Sequence, residues 1–277
     1  MTGTQAPAPG RVLVVAGSDS GGGAGFQADC KVITALGGYA ACALTALTAQ
    51  NTLGVHGVFA VPPAFVAAQM RAVLDDIGAD AVKSGMLADA PVIEAVADEL
   101  TRFFAANRAS GGKRVPYVLD PVMVAKGGAP LLAPDAVACL RELLIPLADV
   151  ITPNLPEALA LTGVEIAGEQ DARRAGDILL AKGARAALIK GGHGAGAELV
   201  DVLVCADGTV ARFAARRIDT PHTHGTGCSL ASAIAVLLAQ GVGLPEAVAK
   251  ALAHVRRGIE QAPGFGAGHG PIEYNPR

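Results

Sequence analysis

The chain has 277 residues, 51% of them hydrophobic, and its 22 basic and 25 acidic side chains leave a net charge of −3. Lys and Arg are scattered rather than clustered, which excludes an electrostatic nucleic-acid binder, and no uninterrupted apolar stretch is long enough to span a bilayer. With 35 Gly, 17 Pro and no Trp, the composition points to tight turns around a sheet and excludes a coiled or disordered protein.

Residues 1–10 lack the basic start and apolar centre of a signal peptide and are expected to be a disordered N-terminal segment. The cysteines, at 30, 42, 139, 205 and 228, are odd in number and contain no C-x-x-C pair, as expected in a reduced cytoplasm. R-V-L-V-V-A-G (Arg11 to Gly17) predicts a buried strand, and G-F-Q-A-D-C-K-V-I-T-A-L-G a helix ended by Gly37. Strands are next predicted at Ala41 to Ala46, Ala81 to Lys83, Val115 to Leu119, Val150 to Thr152 and Ala186 to Lys190. Helical patterns separate them, at Pro63 to Ile77, Pro91 to Ala106, Pro134 to Leu144, Leu155 to Leu161 and Asp171 to Lys182. Leu199 to Cys205 and Val210 to Phe213, split by A-D-G-T, form a hairpin at a sheet edge. Two helices, Thr226 to Gln240 and Leu244 to Ala262, close the pattern.

Continuous apolar strands alternating with helices imply a mostly parallel sheet covered on both faces. The expected architecture is one three-layer α/β domain over residues 11–262, followed by an irregular C-terminal tail over 263–277. Ligands of such sheets bind beyond the carboxyl ends of the strands. Those ends carry G-S-D-S-G-G-G-A-G, Gln50-Asn51, K-S-G-M, D-P-V-M, T-P-N-L-P-E and K-G-G-H, more polar and glycine-rich turns than folding requires.

The segment T-H-G-T-G-C (Thr223 to Cys228) precedes a helix-forming run. It aims backbone N–H groups at one point on the positive end of a helix dipole, a cradle for a phosphoryl group. Cys228 falls in the first helical turn, where thiol pKa values tend to drop. It is either a hydrolase nucleophile paired with His224 or part of a phosphoryl-transfer site, and the polar strand ends favour the second. The other cysteines read as small buried hydrophobes, and His56, His254 and His269 as surface or loop residues.

The loop Gly17 to Gly25 is neither a Walker A nor a Rossmann sequence; it is a flexible drape over a ligand or a tight turn. Asp29, early in the first helix, is a ligand contact or a dipole-favoured acid. The amide of Gln50 suits a heterocycle edge with adjacent amine and ring nitrogen, and equally a loop cap. Asp120 and Glu157 are carboxylates of the kind that hold Mg²⁺, directly or through water, while Asn154 and Glu157 also spell a helix capping box. Lys190 reaches a nucleotide phosphate or snorkels from a strand edge.

Together, A-G-S-D-S-G-G-G-A-G-F-Q-A-D, L-T-A-Q-N-T, V-K-S-G-M-L, L-D-P-V-M-V-A-K-G, I-T-P-N-L-P-E-A, I-K-G-G-H and D-T-P-H-T-H-G-T-G-C resemble the hydroxymethylpyrimidine/phosphomethylpyrimidine kinases of thiamine biosynthesis, in the ribokinase-like superfamily. The resemblance runs from Arg11 to Ile259, and the cysteine ending the last motif, where most sugar kinases have Asp, is its most specific residue. It implies a cytoplasmic homodimer that phosphorylates a small molecule and then its monophosphate, with ATP, Mg²⁺ and a monovalent cation as cofactors. Gln50 and Asp29 would hold the pyrimidine, with Gly17, Met86 and Val122 lining the pocket. Gly225, Thr226, Gly227 and Cys228 would form the anion hole, the thiol helping to deprotonate or orient the attacking hydroxyl. Lys190, Asn154 and Thr226 would serve ATP, and Asp120 and Glu157 the metal. Ser84, where relatives carry a branched apolar residue, is expected to enlarge or polarise the pocket floor, and His222 replaces a common Asn. Pyridoxal kinase is the nearest alternative; its extra lid cysteine corresponds to Ala125 here, in a lid near Lys126 to Gly128. A catalytically silent nucleotide sensor is a third reading.

Overall fold

The computed structural model describes residues 10–124, 128, 131–193 and 197–277; the N-terminal segment, Ala125 and most of the expected lid lie outside them. Strand β1 (Arg11–Ala16) is an interior strand of the main sheet because it has no polar face to turn outward: Val12 to Val15 have no exposed surface. Its side chains alternate between two cores. Leu13 and Val15 join one, while Val12, Val14 and Ala16 join the other, as the two-residue strand period requires.

Around β1 lie β2 (Tyr39–Leu44), β5 (Ala81–Ser84), β6 (Tyr117–Leu119), β7 (Val150–Ile151) and β8 (Ala186–Ile189), all parallel. The hairpin β9 (Glu198–Cys205) and β10 (Val210–Arg216) adds two antiparallel strands, giving the order β10-β9-β8-β7-β6-β5-β1-β2. One face is covered by α2 (Pro63–Leu74), α3 (Ala90–Ala109), α4 (Pro134–Cys139), α5 (Leu155–Thr162) and α6 (Glu169–Ala181). The other is covered by α1 (Gly25–Ala35), α7 (Thr226–Ala239) and α8 (Leu244–Glu260). This is the expected mostly parallel α/β sheet. Helix α4 ends at Cys139, earlier than its periodicity suggests, and continues as a wider turn over Leu140–Leu144.

Two regions differ from the sequence reading. The apolar run at Ala41 to Ala46 does not end near Gln50. It breaks at Thr45, and β3 (Ala46–Asn51) pairs antiparallel with β4 (Gly54–Ala60) as a separate two-stranded flap. The tail after α8 is irregular but docked: Ile272 and Tyr274 are buried, and the Tyr274 hydroxyl donates to Gly23 O at 2.6 Å. Its carbonyl accepts from His254 Nε2 at 3.1 Å, so His254 is a buried support of the tail and not a surface residue. Cys30, Cys42, Cys139 and Cys205 are half-buried and not inside the cores, with Cys139 and Cys205 packed at the rim of one core each.

Candidate active site

The carboxyl ends of β1, β5, β6, β7 and β8 open on one side, and the N-terminus of α7 faces them because α7 packs across β1, β5 and β6. Gly225 supplies the entry to that helix in the left-handed conformation, φ 82°. A Cβ there would collide with Gly23 O, so the glycine serves both the turn and the close approach of two loops. The first amides of α7 have no intrahelical acceptor. The Thr226 hydroxyl donates to Thr223 O at 2.6 Å and braces the turn.

Across from this turn, Lys190 Nζ donates to Asp120 Oδ1 at 3.1 Å, and Thr152 Oγ1 donates to the same oxygen at 3.2 Å. Gly227 completes the contact: a Cβ on it would lie 3.4 Å from Lys190 Nζ and 3.8 Å from Asp120 Oδ2. Lys190 therefore points into the crevice and does not snorkel outward. Burial opposes its charge, but Asp120 and Glu157 outweigh burial and its pKa is raised. Glu157 is pushed up to about 7, chiefly by burial and then by Asp120, although Lys190 and the amides of Asn154 and Met123 favour its ionised form. The capping box at α5 is present, with Asn154 Oδ1 accepting from the Glu157 amide at 2.9 Å and Glu157 Oε2 from the Asn154 amide at 2.8 Å.

Among the described residues no three metal-ligating side chains cluster. Mg²⁺ fits this site in another way, because it is commonly held by one or two carboxylates together with phosphates and water. Asp120, beside Gly227, and Glu157, which interacts with Asp120 and Lys190, would offer those carboxylates.

The Cys228 thiol does not follow the helix-start expectation. Burial pushes it up to about 12; Asp29 and Asp120 add to the rise, and Lys83 and the Gly25 amide only partly offset it. At neutral pH it is a thiol. Asp29 likewise departs from its expected role. It has no exposed surface, its Oδ2 accepts from Lys83 Nζ at 2.7 Å and its Oδ1 from Ser232 Oγ at 2.7 Å. A carboxylate held on both oxygens beneath the crevice supports its floor and is not a free ligand contact. Burial disfavours the Lys83 cation, yet its neighbours, Asp29 foremost, hold its pKa above the ordinary lysine value.

Gly17 and Met86 are neighbours: the Gly17 amide donates to Met86 O at 3.2 Å, and a Cβ on Gly17 would be 2.9 Å from the Met86 sulfur. Val122 is half-buried just beyond Asp120. Gln50 stands on the flap, half-buried, facing His224. The glycine loop is pinned, not draped. Ser20 Oγ bonds both the amide and the carbonyl of Gln50 at 2.8 Å, and Ser18 Oγ accepts from the Thr48 amide at 3.0 Å.

Asp19 organises that loop, and the sequence reading missed it. Its carboxylate accepts from the amides of Gly21, Gly23 and Ala24 at 2.9, 3.1 and 2.8 Å, and from His224 Nε2 at 2.7 Å. Burial raises its pKa, but His224 and the amides of Gly21 and Ala24 carry it below the ordinary value. An Asp followed by glycines is the available signal, since its side chain readily bonds amides a few residues ahead. Ser84 does not reach the pocket floor. It is buried, with Oγ 2.6 Å from the Tyr117 hydroxyl. His222 packs against Gly264 and Gly270 of the tail.

A helix start faced across a glycine by a lysine–aspartate pair, at the carboxyl ends of a mostly parallel sheet, is in keeping with the α/β small-molecule kinases, the class to which the chain's relatives belong. More narrowly, the chain belongs to the phosphomethylpyrimidine kinase family, which it matches over residues 19–273. It is 49% identical over 267 residues to the hydroxymethylpyrimidine/phosphomethylpyrimidine kinase of Streptomyces coelicolor, covering 96% of this chain and 94% of that one. It is 52% identical over 272 residues to the thiamine biosynthesis bifunctional protein ThiED of Geobacter sulfurreducens, of whose length it spans only 53% while 98% of this chain is covered. Among solved structures, an ADP complex of Bacillus subtilis pyridoxal kinase superposes with a TM-score of 0.86 at 36% identity, covering 97% of this chain and 98% of that one.

Proposed function

We propose that the protein transfers the γ-phosphoryl group of ATP to the hydroxymethyl group of 4-amino-5-hydroxymethyl-2-methylpyrimidine, and then phosphorylates the monophosphate to the diphosphate. The observation that carries this reading is the position of Gly227. It stands between the α7 amides and the Asp120–Lys190 pair, so a phosphoryl group there would meet donors from both sides.

Phosphoryl transfer depends on positioning and charge neutralisation more than on covalent help. Gln50 and the pocket residues Gly17, Met86 and Val122 hold the ring, and the amides of Gly225 to Cys228 surround the transferring group. Lys190 and the Nδ2 donors that Asn154 keeps after capping serve the nucleotide, together with the Thr226 amide, whose own bond to Thr223 O is long at 3.4 Å. Mg²⁺, when bound near Asp120 and Glu157, neutralises charge on the phosphates. Cys228, a thiol at neutral pH, orients the attacking hydroxyl and does not act as a preformed base.

The protein acts in the cytoplasm as a homodimer. The dimer reading rests on the flap, where Leu47 and Phe59, paired across its ladder, are both exposed, and sedimentation or light scattering tests it. The structural likeness to a pyridoxal kinase supports pyridoxal as the second candidate substrate. ADP formation with purified protein, ATP·Mg²⁺ and either compound decides between them, and no ADP with either overturns both readings in favour of a silent nucleotide binder. Gln50→Ala should raise the KM for the pyrimidine before that for ATP.

A further inference from the structure

Cys30 and Cys42 take no part in the transfer proposed above. Helix α1 packs on β1 and β2, and β2 is an edge strand of the main sheet. Side chains alternate along β2: Ala41 and Ala43 turn to the core under α2 and α3, and Ala40 to the core under α1. Cys42 therefore shares the α1 face with Ala40, and there its Sγ lies 3.5 Å from Cys30 Sγ. Both cysteines are free and half-buried, so each keeps surface that a small solute can reach. The contact also divides the acidity of the pair. A hydrogen bond between the thiols draws the Cys42 pKa below its ordinary value and lifts that of Cys30, with burial adding to the lift. Cys139 shows the contrast. Its sulfur faces a carbonyl, Ala90 O at 3.8 Å, and burial with nearby carboxylates pushes its pKa up.

We propose that Cys30 and Cys42 are a reversible oxidation site, at which a hydroperoxide joins α1 to the edge strand through a disulfide. The Cys42 thiolate attacks one peroxide oxygen; an S–O bond forms, the O–O bond breaks, and hydroxide leaves and takes up a proton. The Cys30 thiol then attacks the sulfur of the Cys42 sulfenic acid. The S–S bond forms as the S–O bond breaks, and the departing hydroxide takes the Cys30 proton. With hydrogen peroxide, two thiols and one peroxide give one disulfide and two waters, the sulfurs losing the two electrons that the peroxide gains. The two sulfurs need to approach by only about 1.5 Å to reach a disulfide bond length of ~2.05 Å. The bridge closes a short loop between residues 12 apart in sequence, and a small dithiol reopens it by exchange. Cys228, a thiol at neutral pH, is the slower target, because the thiolate is the nucleophile.

The test treats the reduced full-length protein with a small molar excess of hydrogen peroxide near neutral pH. Remaining thiols are alkylated in denaturant, and the chain is digested without reductant and mapped by mass spectrometry. The expected product is a single chain lighter by two hydrogens, with the Cys30 and Cys42 peptides linked and two of its five cysteines closed to alkylation. Dithiothreitol should restore both thiols. Loss of the Cys42 thiol should be roughly tenfold or more faster than loss of the Cys139 or Cys228 thiol. Cys30→Ser and Cys42→Ser should each abolish the linked product, and Cys139→Ser should form it as fast as wild type. Mapping of the wild-type protein decides the matter even where a variant fails to fold. A chain that keeps all its thiols, carries oxygen on single cysteines without a link, or links other cysteines or two chains overturns the inference. Neither ATP nor an acceptor enters the experiment, so the outcome is separate from that of the kinase reading.

Discussion

Lys83 Nζ lies 2.7 Å from Asp29 Oδ2, and neither side chain has any exposed surface. The pair joins β5 to α1 directly beneath Cys228, and removing one partner would strand a buried charge. Lys83→Met is expected to destabilise the fold by about 3–5 kcal/mol, and Lys83→Met with Asp29→Leu to recover much of that loss. Urea unfolding of the two variants checks this. A single variant as stable as wild type would show that the pair contributes nothing to the fold.

Cys228 should behave as a neutral donor and acceptor. Because its pKa lies near 12, kcat should show no rise from thiolate formation between pH 6 and 9. Cys228→Ala is expected to lower kcat by about a hundredfold, and Cys228→Ser, which keeps an X–H group in place, by less. A serine variant as impaired as the alanine variant would require thiolate chemistry.

Asp19 gives the acid side of the stability curve. Its folded pKa lies below its ordinary value of 3.8, so the folded chain releases that proton before the unfolded chain does. The stability this contributes is complete above the unfolded pKa and is lost as pH falls through the folded one. The difference in unfolding free energy between wild type and Asp19→Asn should be constant above about pH 5 and shrink steadily below about pH 4. A difference that does not change with pH would mean that the charge of Asp19 is not what holds the loop.

Ser84 and Tyr117 should act as a unit. Each single change, Ser84→Ala or Tyr117→Phe, leaves a buried hydroxyl without its 2.6 Å partner and is expected to cost about 1–3 kcal/mol. The double variant should cost less than the sum, and KM for the pyrimidine should stay within twofold in all three. A selective rise in that KM would return Ser84 to the pocket floor.

The main sheet was legible because parallel strands buried on both faces tend to be continuously apolar, as in β1, β6, β7 and β8. Arg11 to Gly17 and Ala186 to Lys190 could hardly be anything else. The flap was not legible: β4 reads G-V-H-G-V-F-A, short of turn signals and apolar on a face that the chain itself leaves exposed. The residues of the crevice could be picked out where a strand end placed them, as for Asp120 and Lys190, or where a helix start did, as for Cys228. Asp29 was given a ligand role because its position suggests one, and only Lys83, 54 residues later, shows where its charge is spent. Asp19 escaped for the same reason, since its partner His224 lies 205 residues away. Local sequence shows which groups a loop carries, and tertiary contacts decide which of them remain free for a ligand.

The bond from the Tyr274 hydroxyl to Gly23 O spans 251 residues, which sets an order of events on the ribosome. The glycine loop is made 251 residues before the Tyr274 side chain that gives it its last support. At about 5–20 residues per second that interval is on the order of tens of seconds. Through it the central strands can pair while the crevice stays unfinished, so a translating ribosome would carry a largely folded sheet and no competent site.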